Sequence, residues 1–598
     1  MRQNSEIHSR INRLLFIAVL LLTLIIAQLF NIQVVQAKNY SEKATNELLR
    51  TSIQLAPRGE ITDVNGIQLA RSVAAETIVV DQTEISNPQL TAEVTSPVLG
   101  IPVTELVAMY TGKLLYKKIL VNAPPEIWLN LQETIANYNK KVMKEKGGIS
   151  RRIVGFFSER SYIRDYPTGT LASSLVGFIN DSGEGASGIE SSMNPTLSGT
   201  NGKYIFENGA GNVIPGSAKS KINPKAGTSV KLTIDRDIQW VAQDAISAAV
   251  KNSHAKSGTV IVMDPKTGQI LAQASAPTFD PANKKSITLQ SIRNPSVQDV
   301  YEPGSTGKVI TVAAALEEGK VTPTTVYTIP YSLKVGTRTY KDHEKHATER
   351  LTTTGLLAVS SNTGAIQVGQ SLGQDSLYKY LTKFGIGRST NSKLPGESAG
   401  LILPLDKWTE STLPTNSFGQ GYSVTVLQAT SVFATIANSG VRITPTLVAG
   451  TSDSSGHYTA AIKPEVRRVI SVDVAKQLSA MMESVTQEGG TATRAAIPGY
   501  RVAGKTGTAQ RYDGSCGCYR GYTSSFIGFA PADKPRFVMS VTVQNPVGIH
   551  WGGYLGGPVF KSVISYALKK YRVPPTGVEF IPFPLDKAGL KSFAPDKG

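Results

Sequence analysis

Residues 14–30 (LLFIAVLLLTLIIAQLF) carry no charge, and the next charged side chain is Lys38. About 20 apolar residues in a helix cross the hydrocarbon core of a bilayer, so this stretch points the N-terminal end of the chain at a membrane. Arg2, Arg10 and Arg13 precede it, and positive residues flanking a span stay on the cytoplasmic side. Residues 1–13 are therefore expected in the cytoplasm, residues 14–35 as a single transmembrane anchor, and the rest of the chain outside. The alternative is a cleaved signal peptide, with Val35-Gln36-Ala37 as its small-residue cleavage site. A signal core runs about 7–15 apolar residues. The stretch here is longer and continues into Asn31-Ile32-Gln33-Val34-Val35, which favours an uncleaved anchor.

An exported chain narrows what its charge can mean. Lys and Arg number 62 against 45 Asp and Glu, a net charge of +17. The basic residues are spread along the chain without a dense block, and exported proteins seldom meet nucleic acid, so no nucleic-acid partner is expected. Anionic lipid headgroups or anionic wall polymers fit better, as does a basic surface that merely keeps the protein in solution. The two cysteines, Cys516 and Cys518, have neither CxxC nor zinc-site spacing. They can oxidise outside the cytoplasm, although a bridge across one residue is strained. A small loop staple and pairing with another molecule both remain open.

The 598 residues are enough for more than one core. Residues 39–225 alternate short β-like runs, Gly/Pro punctuation and a basic helical stretch at 129–146. Residues 226–575 are patterned as α/β, and 576–598 form a tail. GTSVKLTIDRDIQWVAQDAISAAVKNS reads as a strand and then a helix, with Ile238, Val241, Ala245 and Ala249 on one face. GTVIVMDPKTGQILAQAS reads as a hairpin. TSSFIGFA and RFVMSVTVQ are two more strands, and PVFKSVISYALKKY is a closing helix. Strand pairs at both ends with helices between predict an antiparallel sheet covered by helices, an α/β fold of the α+β kind.

The stretch YEPGSTGKVI at 301–310 carries the chemistry. A P-loop would need glycine where Glu302 stands and Ser or Thr where Val309 stands, so GSTGK is not a phosphate loop. It is Ser-x-x-Lys at the start of an apolar, and therefore buried, helix that ends near Gly319. Residues three apart share a helical face, which sets Lys308 against the Ser305 hydroxyl. A serine needs a base to become a nucleophile, and a desolvated lysine can be that base.

Two further motifs follow, Ser360-Ser361-Asn362 and Lys505-Thr506-Gly507. In this order the three make up the signature of penicillin-binding proteins and serine β-lactamases. Ser360 can relay protons between Lys308 and a leaving group, and Asn362 can hold a substrate amide. Lys505 offers positive charge to a substrate carboxylate, with Thr506 and Thr508 beside it. Gly507 allows close approach of the substrate to the strand, and the backbone N–H groups of Ser305 and Thr508 can hold an oxyanion.

The chain resembles a class B penicillin-binding protein, a peptidoglycan D,D-transpeptidase, over nearly all its length. APRGEITDVNGIQLARS at 56–72 resembles the opening of that family's N-terminal module, and RNPSVQDVYEPGST its approach to the nucleophile. LPGESAG, NSFGQGYSVTVLQATSVFATIANSG and MMESVTQEGGTA are further similar stretches. The resemblance implies an anchor at 14–35, an elongated dimerisation-type pedestal at 39–225 and a transpeptidase domain at 226–575. It implies that Ser305 attacks stem peptides ending in D-Ala-D-Ala, releases the last D-Ala and passes the acyl group to a neighbouring amine. It implies acylation by β-lactams, no cofactor, and partnership with a polytopic glycan polymerase and other wall-synthesis proteins. LPGESAG and the opening segment favour division over elongation.

The chain departs from the family pattern at two positions: Gly307, where a bulky apolar residue is usual, and Val64, where arginine is usual. Glycine in a helix costs about 0.5–1 kcal/mol relative to alanine, which predicts a looser first turn. YKDHEKHATER, with Asp342, His343, Glu344 and His346, is one residue short of the H-E-x-x-H spacing; it is read as a solvated polar loop, with no metal. Two other functions compete: a β-lactam-hydrolysing or β-lactam-sensing acyl-enzyme, and a non-catalytic scaffold for wall synthesis.

Overall fold

The computed structural model describes residues 2–209, 212–213, 220–513 and 515–591; residues 592–598 of the expected tail lie outside the described residues. Arg2–Phe30 is one α-helix, continued by the π turn Asn31–Val35. Leu14, Phe16, Leu22 and Ile26 stand exposed on it, and His8–Val35 is long and apolar enough to cross a membrane. A helix satisfies its own backbone polar groups, so lipid can serve as the solvent for such a surface.

The chain gathers into two compact units. One comprises Met1–Pro57, Ala74–Ile163 and Gly199–Ala226; the other comprises Arg58–Val73, Arg164–Ser198 and Gly227–Gly598. In the smaller unit, helices Pro88–Leu99, Val103–Tyr110 and Pro125–Val142 enclose Ile78, Val80, Leu106, Tyr110 and Leu131. Pro88 fits the first helical position, where no N–H partner is needed, and the Asn87 side chain accepts from Leu90 N–H. The basic stretch lies largely in Pro125–Val142, with Lys140 and Lys141 in the last turn against the negative end of the helix.

The larger unit is built on a five-stranded sheet. From edge to edge its strands are Ile270–Ala276, Ser257–Met263, Phe537–Gln544, Cys518–Ala530 and Ala503–Asp513, every neighbour antiparallel. Alternation along a strand feeds two cores. Val260 and Val262 pack beneath helices Arg236–Asn252 and Gly552–Lys570, while Ile261 and Met263 face the opposite layer. The expected hairpin, end strands and closing helix are all present. Helix Arg236–Asn252 is turned slightly from its expected face. It buries Ile238, Gln239, Ala242 and Ile246, and Val241, Ala245 and Ala249 are only partly covered. Gln239 explains the offset: its amide bonds both N–H and C=O of Gln273, at 2.6 and 3.0 Å, so a polar residue belongs to the buried stripe.

The second layer centres on helix Lys308–Glu317, buried at every position from Lys308 to Leu316. Ser305 precedes it on a 3-10 turn, Gly304–Gly307, so the α-helix begins one turn later than expected. Elsewhere in this unit the carboxylate of Glu190, fully buried, holds Arg58 at 2.6 Å and Arg164 at 2.7 Å. The described part of the tail also has a fixed place. Thr352 donates to Leu585 C=O through its N–H at 3.0 Å and to Pro584 C=O through its hydroxyl at 2.7 Å, at the cap of helix Thr353–Ala358, the helix just before Ser360. Cys516 and Cys518 form a disulfide with each other where the chain turns from strand Ala503–Asp513 into strand Cys518–Ala530.

Candidate active site

The 3-10 turn, the start of helix Asn362–Leu372 and the edge strand Ala503–Asp513 bring the three motifs together. Lys308 Nζ lies 2.9 Å from Ser305 Oγ, 2.5 Å from Ser360 C=O and 2.8 Å from Asn362 Oδ1. Lys505 Nζ donates to Ser360 Oγ at 2.8 Å and to Thr506 C=O at 3.2 Å. The Ser360 hydroxyl therefore stands between two lysines, the second 3.3 Å away. Both ammonium groups are buried. Burial brings Lys308 down to about 7 against the opposing pull of the Asp342 carboxylate. Burial, and then the charge of Lys308, push Lys505 well below the usual lysine range. A carboxylate bound beside Lys505 would favour its charged form.

These groups open on a cleft of about 620 Å³ whose walls include Ser305, Ser360, Asn362, Thr506, Thr508 and Trp551. Asn362 is already engaged on both sides, its Nδ2 donating to Lys341 C=O at 3.0 Å. Thr506 Oγ1 is 2.8 Å from Thr491 Oγ1, and Thr508 Oγ1 accepts from Gly552 N–H at 3.3 Å. At Gly507 the close approach is to the protein itself: a Cβ there would lie 2.3 Å from Ser525 Oγ and 3.0 Å from Thr306 Cγ2. The glycine lets the edge strand press against the nucleophile turn.

Gly307 is packed rather than loose. A Cβ at this position would sit 2.3 Å from Tyr422 Oη and 2.8 Å from Gly419 Cα, so the tyrosine fills the space a larger residue would take. Burial holds the Tyr422 phenol above its usual range, and its hydroxyl has no hydrogen-bond partner among the described residues. Gly307→Ala is expected to cost about 1–3 kcal/mol through overpacking, more than the helix-propensity gain. Tyr422→Phe should be near neutral alone and recover part of that loss in the double variant; thermal unfolding of all four proteins reads the coupling.

Motif spacing did not reveal two features. The loop read as solvated is so at His343, Glu344 and Lys345, but Asp342 is 8% exposed. Its carboxylate accepts from Asn362 N–H at 2.5 Å, Thr363 N–H at 2.9 Å and Ser361 Oγ at 2.7 Å. The other is an aromatic wall: the His343 ring meets Trp551 edge-on at 4.4 Å, and His550 stacks on Tyr522 at 4.0 Å. His550 and Trp551 are adjacent in the sequence, but only folding makes neighbours of 343 and 551.

Comparison with known proteins agrees with this architecture. Residues 258–565 match the penicillin binding protein transpeptidase domain, and residues 53–232 match the penicillin-binding protein dimerisation domain. Penicillin-binding protein PbpB of Mycolicibacterium smegmatis is 36% identical over 94% of this chain and 90% of its own length. Peptidoglycan D,D-transpeptidase FtsI of Buchnera aphidicola is 30% identical, over 94% of this chain and 95% of its own. The crystal structure of penicillin binding protein 3 from Mycobacterium tuberculosis complexed with aztreonam superposes with a TM-score of 0.69 at 30% identity, covering 90% of this chain and all of that one. Fold and domain content define a penicillin-binding transpeptidase, preceded by a helix long and apolar enough to cross a membrane. The chain belongs to the class B penicillin-binding proteins.

Proposed function

We propose that the protein crosslinks peptidoglycan stem peptides as a D,D-transpeptidase with Ser305 as nucleophile. The observation that carries this reading is the 2.9 Å contact between Ser305 Oγ and a buried lysine brought down to about 7. Neutral Lys308 takes the hydroxyl proton as Oγ attacks the carbonyl carbon of the penultimate D-Ala. The N–H groups of Ser305 and Thr508 face the developing oxyanion. As the tetrahedral species collapses, the peptide C–N bond breaks, and the departing D-Ala nitrogen receives the proton from Lys308 through the Ser360 hydroxyl. An amine from a neighbouring strand then attacks the ester, returning a proton by the same route and freeing Ser305. Lys505, with Thr506 and Thr508, pairs with the terminal carboxylate, and Asn362 steers the stem-peptide amide. A β-lactam acylates the same oxygen. The chemistry calls for no cofactor.

Residues 39–225 form the N-terminal non-catalytic region and 226–575 the transpeptidase region, and 14–35 span the membrane with the N-terminus in the cytoplasm. The two matched family models and the basic residues before the span support this arrangement. A polytopic glycan polymerase is the expected partner, and cell division the expected setting.

The test is labelling by a fluorescent penicillin, wild type beside Ser305→Ala. A covalent band in the first that is absent from the second is expected. No band in folded wild-type protein would count against the reading and favour a scaffold.

A further inference from the structure

Ser360 adopts a left-handed backbone conformation, φ +66°. A non-glycine residue held there costs about 1–3 kcal/mol and persists only where its surroundings over-determine it. Lys308 holds the Ser360 carbonyl, Ser361 N–H donates to Leu356 C=O at 2.9 Å, and one carboxylate, Asp342, fixes the residues that follow. Asp342 follows strand Arg338–Lys341 and bonds the three residues after Ser360 in turn. Its charge also suits the positive end of helix Asn362–Leu372. The Ser361 hydroxyl donates to Asp342 and accepts from Gly364 N–H at 2.9 Å, closing the helix cap. Lys341 C=O holds the Asn362 amide from the other side, which leaves Oδ1 aimed at Lys308.

We propose that Asp342 is a positioning residue for acyl transfer, clamping residues 361–363 so that the carbonyl and hydroxyl of Ser360 and the amide oxygen of Asn362 converge on Lys308. The inference rests on the reading of Ser305 and Lys308 given above. Asp342 has a second effect through the same geometry, because its negative charge favours the protonated form of Lys308. The other titratable groups facing Lys308 are Lys505 on the edge strand and His343 beside Asp342. His346 faces Asp342 itself, with Nε2 at 3.1 Å.

The experiment is the second-order rate of penicillin acylation against pH, on the detergent-solubilised full chain, for wild type, Asp342→Asn and Ser361→Ala. Thermal unfolding is followed in parallel. Acylation uses neutral Lys308, so the wild-type rate falls as pH drops through about 7. Asp342→Asn is expected to lower the plateau roughly 10–100-fold by misplacing Ser360 and Asn362. It should also move the acidic limb to lower pH, since Lys308 without that carboxylate protonates less readily. The shift should persist in a His346→Gln background, which removes the imidazole titration. Ser361→Ala keeps the carboxylate and should lower the plateau several-fold with the limb unmoved. A lowered melting point with plateau and limb both at wild-type values overturns the proposal. Should Asp342→Asn not fold, an unchanged plateau in Ser361→Ala overturns it. A wild type that is not acylated at all would instead sink the Ser305 reading.

Discussion

Lys308→Ala is expected to slow penicillin acylation about 10²–10⁴-fold, the usual contribution of a positioned general base. Lys308→Arg should be nearly as slow although it preserves charge and reach, because a guanidinium does not give up its proton in a protein. The pair of variants separates two roles. If Lys308 merely supplied positive charge to Ser305, arginine would retain much of the rate. If it must be neutral, arginine fails, and the wild-type rate rises with pH through about 7. The sign follows from burial: a lysine held below its ordinary value is increasingly the free base above that point, so the competent form accumulates as pH rises. Stopped-flow acylation from pH 5.5 to 9 measures both effects. An active arginine variant, or a flat profile, would remove Lys308 as the base.

Glu190→Ala is expected to cost about 3–5 kcal/mol of stability, a large part of the roughly 5–15 kcal/mol available to a folded domain. Glu190 is fully buried, and the Arg58 and Arg164 side chains are 8% and 2% exposed. One Arg58 nitrogen also donates to the Glu190 C=O at 2.7 Å and another to Asn194 Oδ1 at 2.7 Å. Removing the carboxylate strands two guanidinium charges away from water, and neither can escape by losing a proton. Glu190→Gln keeps the shape and some hydrogen bonds and should fall between. The measurement is the melting temperature of the full chain, expected to drop by several degrees or more. A change of less than about 2 °C would mean that water reaches the arginines and the charge network is not structural.

Much of the site was legible because its chemistry is local. Ser305 and Lys308 are three residues apart, and helical geometry makes neighbours of such pairs. The hairpin Ser257–Met263 with Ile270–Ala276 and the closing helix Gly552–Lys570 also came from short-range pattern. The offset of helix Arg236–Asn252 was not legible, since apolar periodicity gives no weight to a glutamine that bonds a strand backbone. Gly307 was misjudged for a similar reason. Its cost was counted against a helix, whereas the space beside it belongs to Tyr422.

Order along the chain established the long apolar N-terminal helix, the alternation of sheet and helix, and the Ser305–Lys308 contact, each of which depends on residues a few positions apart. Folding decided what depends on distance through space. It set Ser360 between two lysines, buried one aspartate of a loop that looked solvated, and closed Arg58, Arg164 and Glu190 into one ion cluster. A side chain's charge and reach are properties of the residue. Its burial, and therefore whether Lys308 is an ordinary cation or a base near neutrality, is a property of everything packed around it.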